Sequence, residues 1–180
     1  MDSRTGEVLA LADHPTFDAS APLESPEADL GSRAMSDVLE PGSVQKALTV
    51  AALLDAGLVT PRTKILVPPL LSRQDRPIKD WFEHGTLPLT LTGVIAQSSN
   101  IGTVLATDEM DARTLGRYLS AFGLGRRTNV GVLGETAGIV PSGAAMTSQT
   151  KDRIAFGQSL SVNALQMTAA INSNGKMLLD

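Results

Sequence analysis

Apolar residues recur at three- and four-residue steps in four stretches of the chain, and turn-forming residues punctuate the rest. Val44, Ala47, Leu48, Ala51 and Leu54 follow that period and predict a helix over about 43–56, with Pro41-Gly42 before it and Gly57 as its stop. Leu91, Val94, Ile95, Ile101 and Leu105 share a face and predict a second helical region over about 89–106. A third helix is expected over about 112–122, ending in Gly123-Leu124-Gly125, with irregular chain over 125–150. A last helix is expected from an Asn163 cap to about Asn172, with Gln166 in the capping-box position. Strand signals are fewer. Glu7–Asp13 reads as a short buried strand after a turn at Arg4-Thr5-Gly6, and Ile65-Leu66-Val67 as a strand halted by Pro68-Pro69. Residues 14–40 hold no period and read as loop.

Composition narrows the function classes. With 180 residues there is room for one domain with a real core. A net charge of −4 without a basic stripe, and only 3% aromatics, argue against nucleic-acid binding. The chain has no cysteine, which removes disulfides and thiolate chemistry. His14 and His84 lack a carboxylate at ligand spacing and read as solvated loop histidines, so no metal or cofactor is expected. No apolar run reaches the length of a membrane span, and no signal-peptide core follows Met1-Asp2-Ser3-Arg4, so any anchor is expected outside this chain.

A serine hydroxyl needs a base, and with no cysteine or suitable histidine that base would be a lysine. Ser43 and Lys46 stand three apart at a predicted helix start, on one face. Burial can lower a lysine's pKa far enough for it to accept a proton, and the helix N-terminus favours developing negative charge. The spacing alone does not separate such a pair from an ordinary amphipathic helix. Three pairs of this form occur, where 15 serines and 5 lysines would give roughly 0.4 by chance. Ser148/Lys151 falls in a predicted loop, and Ser173/Lys176 spans Asn174-Gly175, which would end a helix. Ser98-Ser99-Asn100 interrupts the apolar stripe of the second helical region. Ser98 either bonds back to the carbonyl four residues earlier, or marks a break that turns a hydroxyl and an amide towards a cleft. Ser161-Val162-Asn163 has the same form and is better explained as a helix cap.

Glu40-Pro41-Gly42-Ser43-Val44-Gln45-Lys46 resembles the active-site serine motif of class B penicillin-binding proteins, the monofunctional peptidoglycan transpeptidases. Gln97-Ser98-Ser99-Asn100, 55 residues on, is similar to their second motif. Thr5–Leu11 with His14–Asp18, then Ala121–Gly125, Phe156-Gly157-Gln158 and Leu165-Gln166, resemble the flanking segments in the family's order. The resemblance implies an α+β fold of the penicillin-binding transpeptidase and serine β-lactamase type. Residues 1–180 would be a partial transpeptidase domain, with the helical part mostly present and the antiparallel sheet mostly missing. It implies Ser43 as nucleophile, Lys46 as base, Ser98 as proton relay and Asn100 as the group holding Lys46 and the substrate amide. The implied ligands are a peptidoglycan stem peptide and β-lactams, and the implied location is the outer face of the cell membrane. Division or elongation membrane proteins would be its partners. Departures exist. Leu39 stands where an aromatic is usual and Ser159 where glycine is common, residues 175–180 match weakly, and no Lys-Ser/Thr-Gly motif follows Asn100. Arg4-Thr5-Gly6 fits that motif only loosely and in the wrong place. The chain is therefore expected to end before the third motif and to be inactive alone. A β-lactam-sensing receptor, a serine β-lactamase or a truncated product without activity are the alternatives. The lack of a Glu-x-x-Leu-Asn pattern counts against the class A form of the second.

Overall fold

In the computed structural model the described residues are 1–73 and 76–177, without the side chains of Ala28 and 174–177. Seven helices and two strands follow in the order α1 (Arg33–Ser36), α2 (Gln45–Asp55), β1 (Lys64–Val67), β2 (Leu87–Thr90), α3 (Leu91–Ala96), α4 (Asn100–Ala106), α5 (Ala112–Ala121), α6 (Ser148–Ala155) and α7 (Ala164–Met177) among these residues. This is a mixed helical body with a small sheet, an incomplete α+β domain.

The helix predicted from Ser43 begins as a 3-10 turn over Gly42–Val44 and becomes α2 at Gln45. Its end follows from Gly57, which takes φ +67°, while the Leu58 N–H reaches the Leu53 carbonyl and the Gly57 N–H the Leu54 carbonyl. That pair of bonds is the Schellman closure, which needs a left-handed residue at this place. The buried side of α2 carries Gln45, Lys46, Leu48, Thr49, Ala51, Ala52 and Leu53. Val44 and Ala47, expected on the apolar face, are instead exposed. Leu48 and Leu53 meet Leu91, Ile101, Leu115, Leu119 and Ile154 in one core, each at 1% exposure or less. Burying a side chain of this size contributes about 1.5–3 kcal/mol.

Three sequence expectations change. The Glu7–Asp13 segment forms no ladder among the described residues, and Leu9 and Leu11 are exposed. An apolar run becomes a strand only beside a partner for its amides and carbonyls. The region expected to be helical from 89 starts as β2, antiparallel to β1 in the register Lys64↔Thr90 to Val67↔Leu87. Pairing with the predicted 65–67 strand overrides the helical period there, and Thr90 then caps α3 through the Gly93 N–H at 3.1 Å. The tract read as irregular to 150 gives way to α6 at Ser148, capped by Thr147 accepting from the Thr150 N–H at 3.1 Å.

The α7 cap forms as expected. Asn163 N–H donates to Gln166 Oε1 at 3.0 Å, and Gln166 N–H to Asn163 Oδ1 at 2.7 Å. The helix runs past Asn172, through 174 and 175, to Met177. A glycine inside a helix costs only about 1 kcal/mol, which is not enough to stop it. The Lys176 side chain, and with it the Ser173/Lys176 pair, lies outside the described residues, as does the end of the 175–180 segment.

Candidate active site

Ser43 is presented on the 3-10 turn by backbone contacts that leave little freedom. Gly42, at φ +57°, donates its N–H to the Gly157 carbonyl at 3.0 Å. Gly157 sits at φ +90°, and any Cβ there would collide with the Gly42 backbone. Two residues on, the Ser159 N–H donates to Glu40 Oε1 at 2.8 Å, and Ser159 itself has φ +60°. Ser159 thus occupies a left-handed position, which suits the glycine expected there. The Ser43 side is exposed, and its hydroxyl has no hydrogen-bond partner among the described residues.

One turn later Lys46 is 2% exposed. Its Nζ donates to the Ser98 carbonyl at 2.5 Å and to Ser98 Oγ at 3.1 Å. Burial lowers its pKa from 10.5 to about 8, against an opposing pull from the Asp80 carboxylate. A neutral amine is therefore accessible near physiological pH.

Ser98 owes its place to a break between α3 and α4. Its φ is +52°, and the chain turns so that the Ser99 N–H bonds back to the Val94 carbonyl. Ser99 Oγ accepts from the Gly102 N–H at 2.8 Å and caps α4. The packing is close. A Cβ on Gly102 would crowd Val94, so the two helix segments meet through a glycine. Of the two readings open for Ser98, the break holds, and its hydroxyl meets Lys46.

Asn100 departs from what the resemblance implies. Its Nδ2 donates to the Lys79 carbonyl at 2.9 Å, and no bond joins it to Lys46 among the described residues. The structure thus brings Lys46 and Ser98 together and holds Asn100 on the neighbouring 79–84 segment.

Sequence reasoning missed that segment. Asp80, whose side chain is fully buried, accepts from Ser99 Oγ at 2.7 Å and from the Ile101 N–H at 3.0 Å. It ties down the turn that carries Ser98. No local signal could place a lone aspartate against residues 19 and 21 positions later. Trp81 is 74% exposed yet fixed, its Nε1–H donating to the Gln97 carbonyl at 2.9 Å. His84 is no solvated histidine. Its side chain is 4% exposed, with Nε2 3.2 Å from Asp80 Oδ2.

The second Ser-x-x-Lys pair has a different surrounding. Lys151 donates to the carbonyls of Thr107 at 2.7 Å and Met110 at 3.0 Å, just past the end of α4, while Ser148 is exposed at the start of α6.

A family model described as the penicillin binding protein transpeptidase domain matches residues 1–178. The chain is 39% identical over 169 residues to penicillin-binding protein PbpB of Mycobacterium tuberculosis, covering 93% of this chain and 25% of that protein. It is 34% identical over 179 residues to peptidoglycan D,D-transpeptidase FtsI of Escherichia coli, covering 97% of this chain and 30% of that protein. Among solved structures, penicillin-binding protein 3 from Mycobacterium tuberculosis, complexed with aztreonam, superposes with a TM-score of 0.87 at 37% identity, over 96% of this chain and 39% of that one. A peptidoglycan synthetase from Bifidobacterium adolescentis gives 0.85 at 36% identity, over 95% and 31%. The chain spans 25–30% of the length of the two named relatives, and its sequence, fold and match over nearly every residue make it a member of the penicillin-binding-protein transpeptidase family.

Proposed function

We propose that this chain is a partial transpeptidase domain carrying the acylation machinery of a peptidoglycan D,D-transpeptidase, with Ser43 as the nucleophile. The observation that supports it best is the Lys46 amine, buried, with its pKa lowered to about 8, on the Ser98 hydroxyl one helical turn from an exposed Ser43. Lys46 takes the Ser43 proton as the serine oxygen bonds to the penultimate D-alanine carbonyl of a stem peptide. The C–N bond to the terminal D-alanine then breaks, and its nitrogen receives a proton from Lys46 through Ser98. The ester formed passes to an amine of a neighbouring strand, which restores the serine and leaves a cross-link. A general base of this kind is worth about 10²–10⁴-fold in rate. Asn100 acts from the turn, orienting the substrate amide.

β-Lactams would acylate the same serine, since their amide carbonyl presents the same electrophile. Such an enzyme works at the outer face of the cell membrane, where stem peptides lie, beside membrane proteins of division or elongation. Among the described residues no helix is long and apolar enough to cross a membrane.

The test uses the full-length protein that carries this chain and a fluorescent penicillin, with mass spectrometry of the labelled peptide. The adduct is expected on Ser43, lost in Ser43→Ala and kept in Ser148→Ala and Ser173→Ala. An adduct on either other serine refutes the assignment. A long-lived adduct fits a transpeptidase, a rapidly lost one a β-lactamase.

A further inference from the structure

A tryptophan side chain is among the largest apolar surfaces a fold can bury, yet Trp81, the one tryptophan of the chain, stands 74% exposed. It is also held in place. Its Nε1–H donates to the Gln97 carbonyl at 2.9 Å, and its ring packs T-shaped on Phe82, with centroids 5.0 Å apart. Phe82 rests in turn on the His84 ring, again at 5.0 Å. An aromatic ring fixed in advance loses little freedom in a later contact, which lowers the cost of making one. The anchor also sets the place. By ordinary bond lengths, the indole nitrogen lies within about 7 Å of the Ser98 Cα, and the Ser98 hydroxyl is the one on Lys46. Asn100 Nδ2 donates to the Lys79 carbonyl, so residues 79–81 flank the turn at both Gln97 and Asn100. Trp81 also walls a cavity of about 440 Å³, the size of a small-molecule pocket, whose other apolar walls are Pro69, Leu70 and Phe82.

We propose that Trp81, with the cavity formed by Pro69, Leu70 and Phe82, is a side-group subsite of the acylation centre. It takes a neutral aryl or branched alkyl group that the acyl donor carries beside its reacting carbonyl. This rests on Ser43 being the acylated serine. A donor whose carbonyl lies between Ser43 and the Ser98 hydroxyl brings its neighbouring groups to within a side chain's length of the indole. Four apolar walls reward a group without charge, through burial and through stacking on the ring. That contact forms when the donor binds, before the bond to Ser43 does. The subsite therefore sets which donors bind well and leaves the acylation step itself to Ser43 and Lys46.

The experiment compares Ser43 acylation of the full-length protein by benzylpenicillin and by the free-amine penicillin nucleus, which has the same lactam but no phenylacetyl group. Progress curves separate the dissociation constant of the first complex from the rate constant of acylation. For benzylpenicillin, Trp81→Ala is expected to raise the dissociation constant about tenfold and to keep the rate constant within about twofold. For the bare nucleus both constants should stay within about twofold. Trp81→Phe, which keeps a ring and loses the bond to Gln97, should recover most of the difference. Equal losses for the two lactams, or a loss confined to the rate constant, would make Trp81 a structural residue of the turn and overturn the proposal. Indole fluorescence decides the subsite without any acylation. In Ser43→Ala, the emission that Trp81→Phe removes is expected to be quenched by acrylamide and shielded once benzylpenicillin binds. An indole already shielded in the free full-length protein, or left unshielded at saturating benzylpenicillin, would refute the subsite. A wild-type protein unlabelled at Ser43 would instead refute the transpeptidase reading, leaving the subsite to the fluorescence result.

Discussion

Lys46 and Lys151 have the same local pattern and grip opposite ends of the same helix. Each follows a serine by three positions, each is nearly buried, and burial lowers the pKa of both. Lys46 reaches the turn before α4, where its partners are the Ser98 carbonyl and hydroxyl. Lys151 reaches the carbonyls of Thr107 and Met110 beyond the other end. A helix C-terminus presents carbonyls and partial negative charge, which favour an ammonium there and oppose the effect of burial. The N-terminal end offers Lys46 one carbonyl and the pull of Asp80, too little to offset burial, and the Ser98 hydroxyl within reach can pass a proton on. The Ser-x-x-Lys spacing is therefore neutral about function. Which end of α4 the amine meets, and whether a hydroxyl waits there, separates the lysine proposed as base from the one that holds backbone carbonyls.

Arginine substitution should separate the two most sharply. Arginine keeps the charge and the donors but does not give up its proton in proteins. Lys46→Arg is expected to lose acylation nearly as completely as Lys46→Ala, by about 100-fold or more. Lys151→Arg should leave acylation within several-fold of wild type in the same penicillin assay. If Lys46→Arg stayed within about threefold, a loss below about 0.7 kcal/mol of barrier, the base assignment would be wrong.

Stability should rank the pair the other way. Lys151→Met leaves the Met110 carbonyl without a donor, at about 1–3 kcal/mol, while the Thr107 carbonyl keeps the Met110 N–H, so urea denaturation should show a loss of that size. Lys46→Met should cost less, because burial disfavours the Lys46 ammonium more than that of Lys151. The sign with pH follows. The folded-state pKa of Lys46 is about 8 and its ordinary value 10.5, so between these the unfolded chain binds more protons and stability rises with pH. The gain, on the order of 2–4 kcal/mol, should be complete above pH 10.5 and absent below pH 8. Comparing wild type with Lys46→Met over that window isolates it from Lys151, whose shift has the same direction. Parallel profiles would mean that Lys46 is less desolvated than its 2% exposure implies.

What was legible in the sequence was what depends on neighbours within a few residues. The Gly57 stop and the reciprocal Asn163–Gln166 cap are local hydrogen-bond patterns, and both formed as read. The start of α2 came through with its 3-10 turn added. Pairing was not legible. β2 exists because β1 lies beside it, and the 7–13 segment lacks a ladder because none of the described residues supplies one. At the site, Ser43 and Lys46 are close in sequence, so a short motif is enough to propose them together. Asp80 and His84 act across the fold on residues with no sequence pattern in common, and His84 was misread for that reason. Ser148 shows the converse failure, because a Thr147 cap was available to place α6 and the glycine-rich tract before it masked the start.

The smallest expected effect lies in the turn that fixes Ser43, and it again divides the two serine–lysine helices. Ser159 holds φ +60° to aim its N–H at Glu40, and its hydroxyl has no partner among the described residues. A left-handed backbone costs a residue with a Cβ about 1–2 kcal/mol. Glycine removes that cost and gives back about 0.5–1 kcal/mol through greater freedom of the unfolded chain. Ser159→Gly should therefore stabilise the protein by up to about 1 kcal/mol, with a rise in Tm of about 2–4 °C per kcal/mol for a domain of this size. Ser148→Gly, at a first helical position with no left-handed strain to relieve, should destabilise by about 0.5–1 kcal/mol. Scanning calorimetry of the two variants measures both signs. If Ser159→Gly lowered Tm as Ser148→Gly does, the serine hydroxyl would be holding the Glu40–Ser43 turn through a contact of its own, and backbone strain would not be what distinguishes that position.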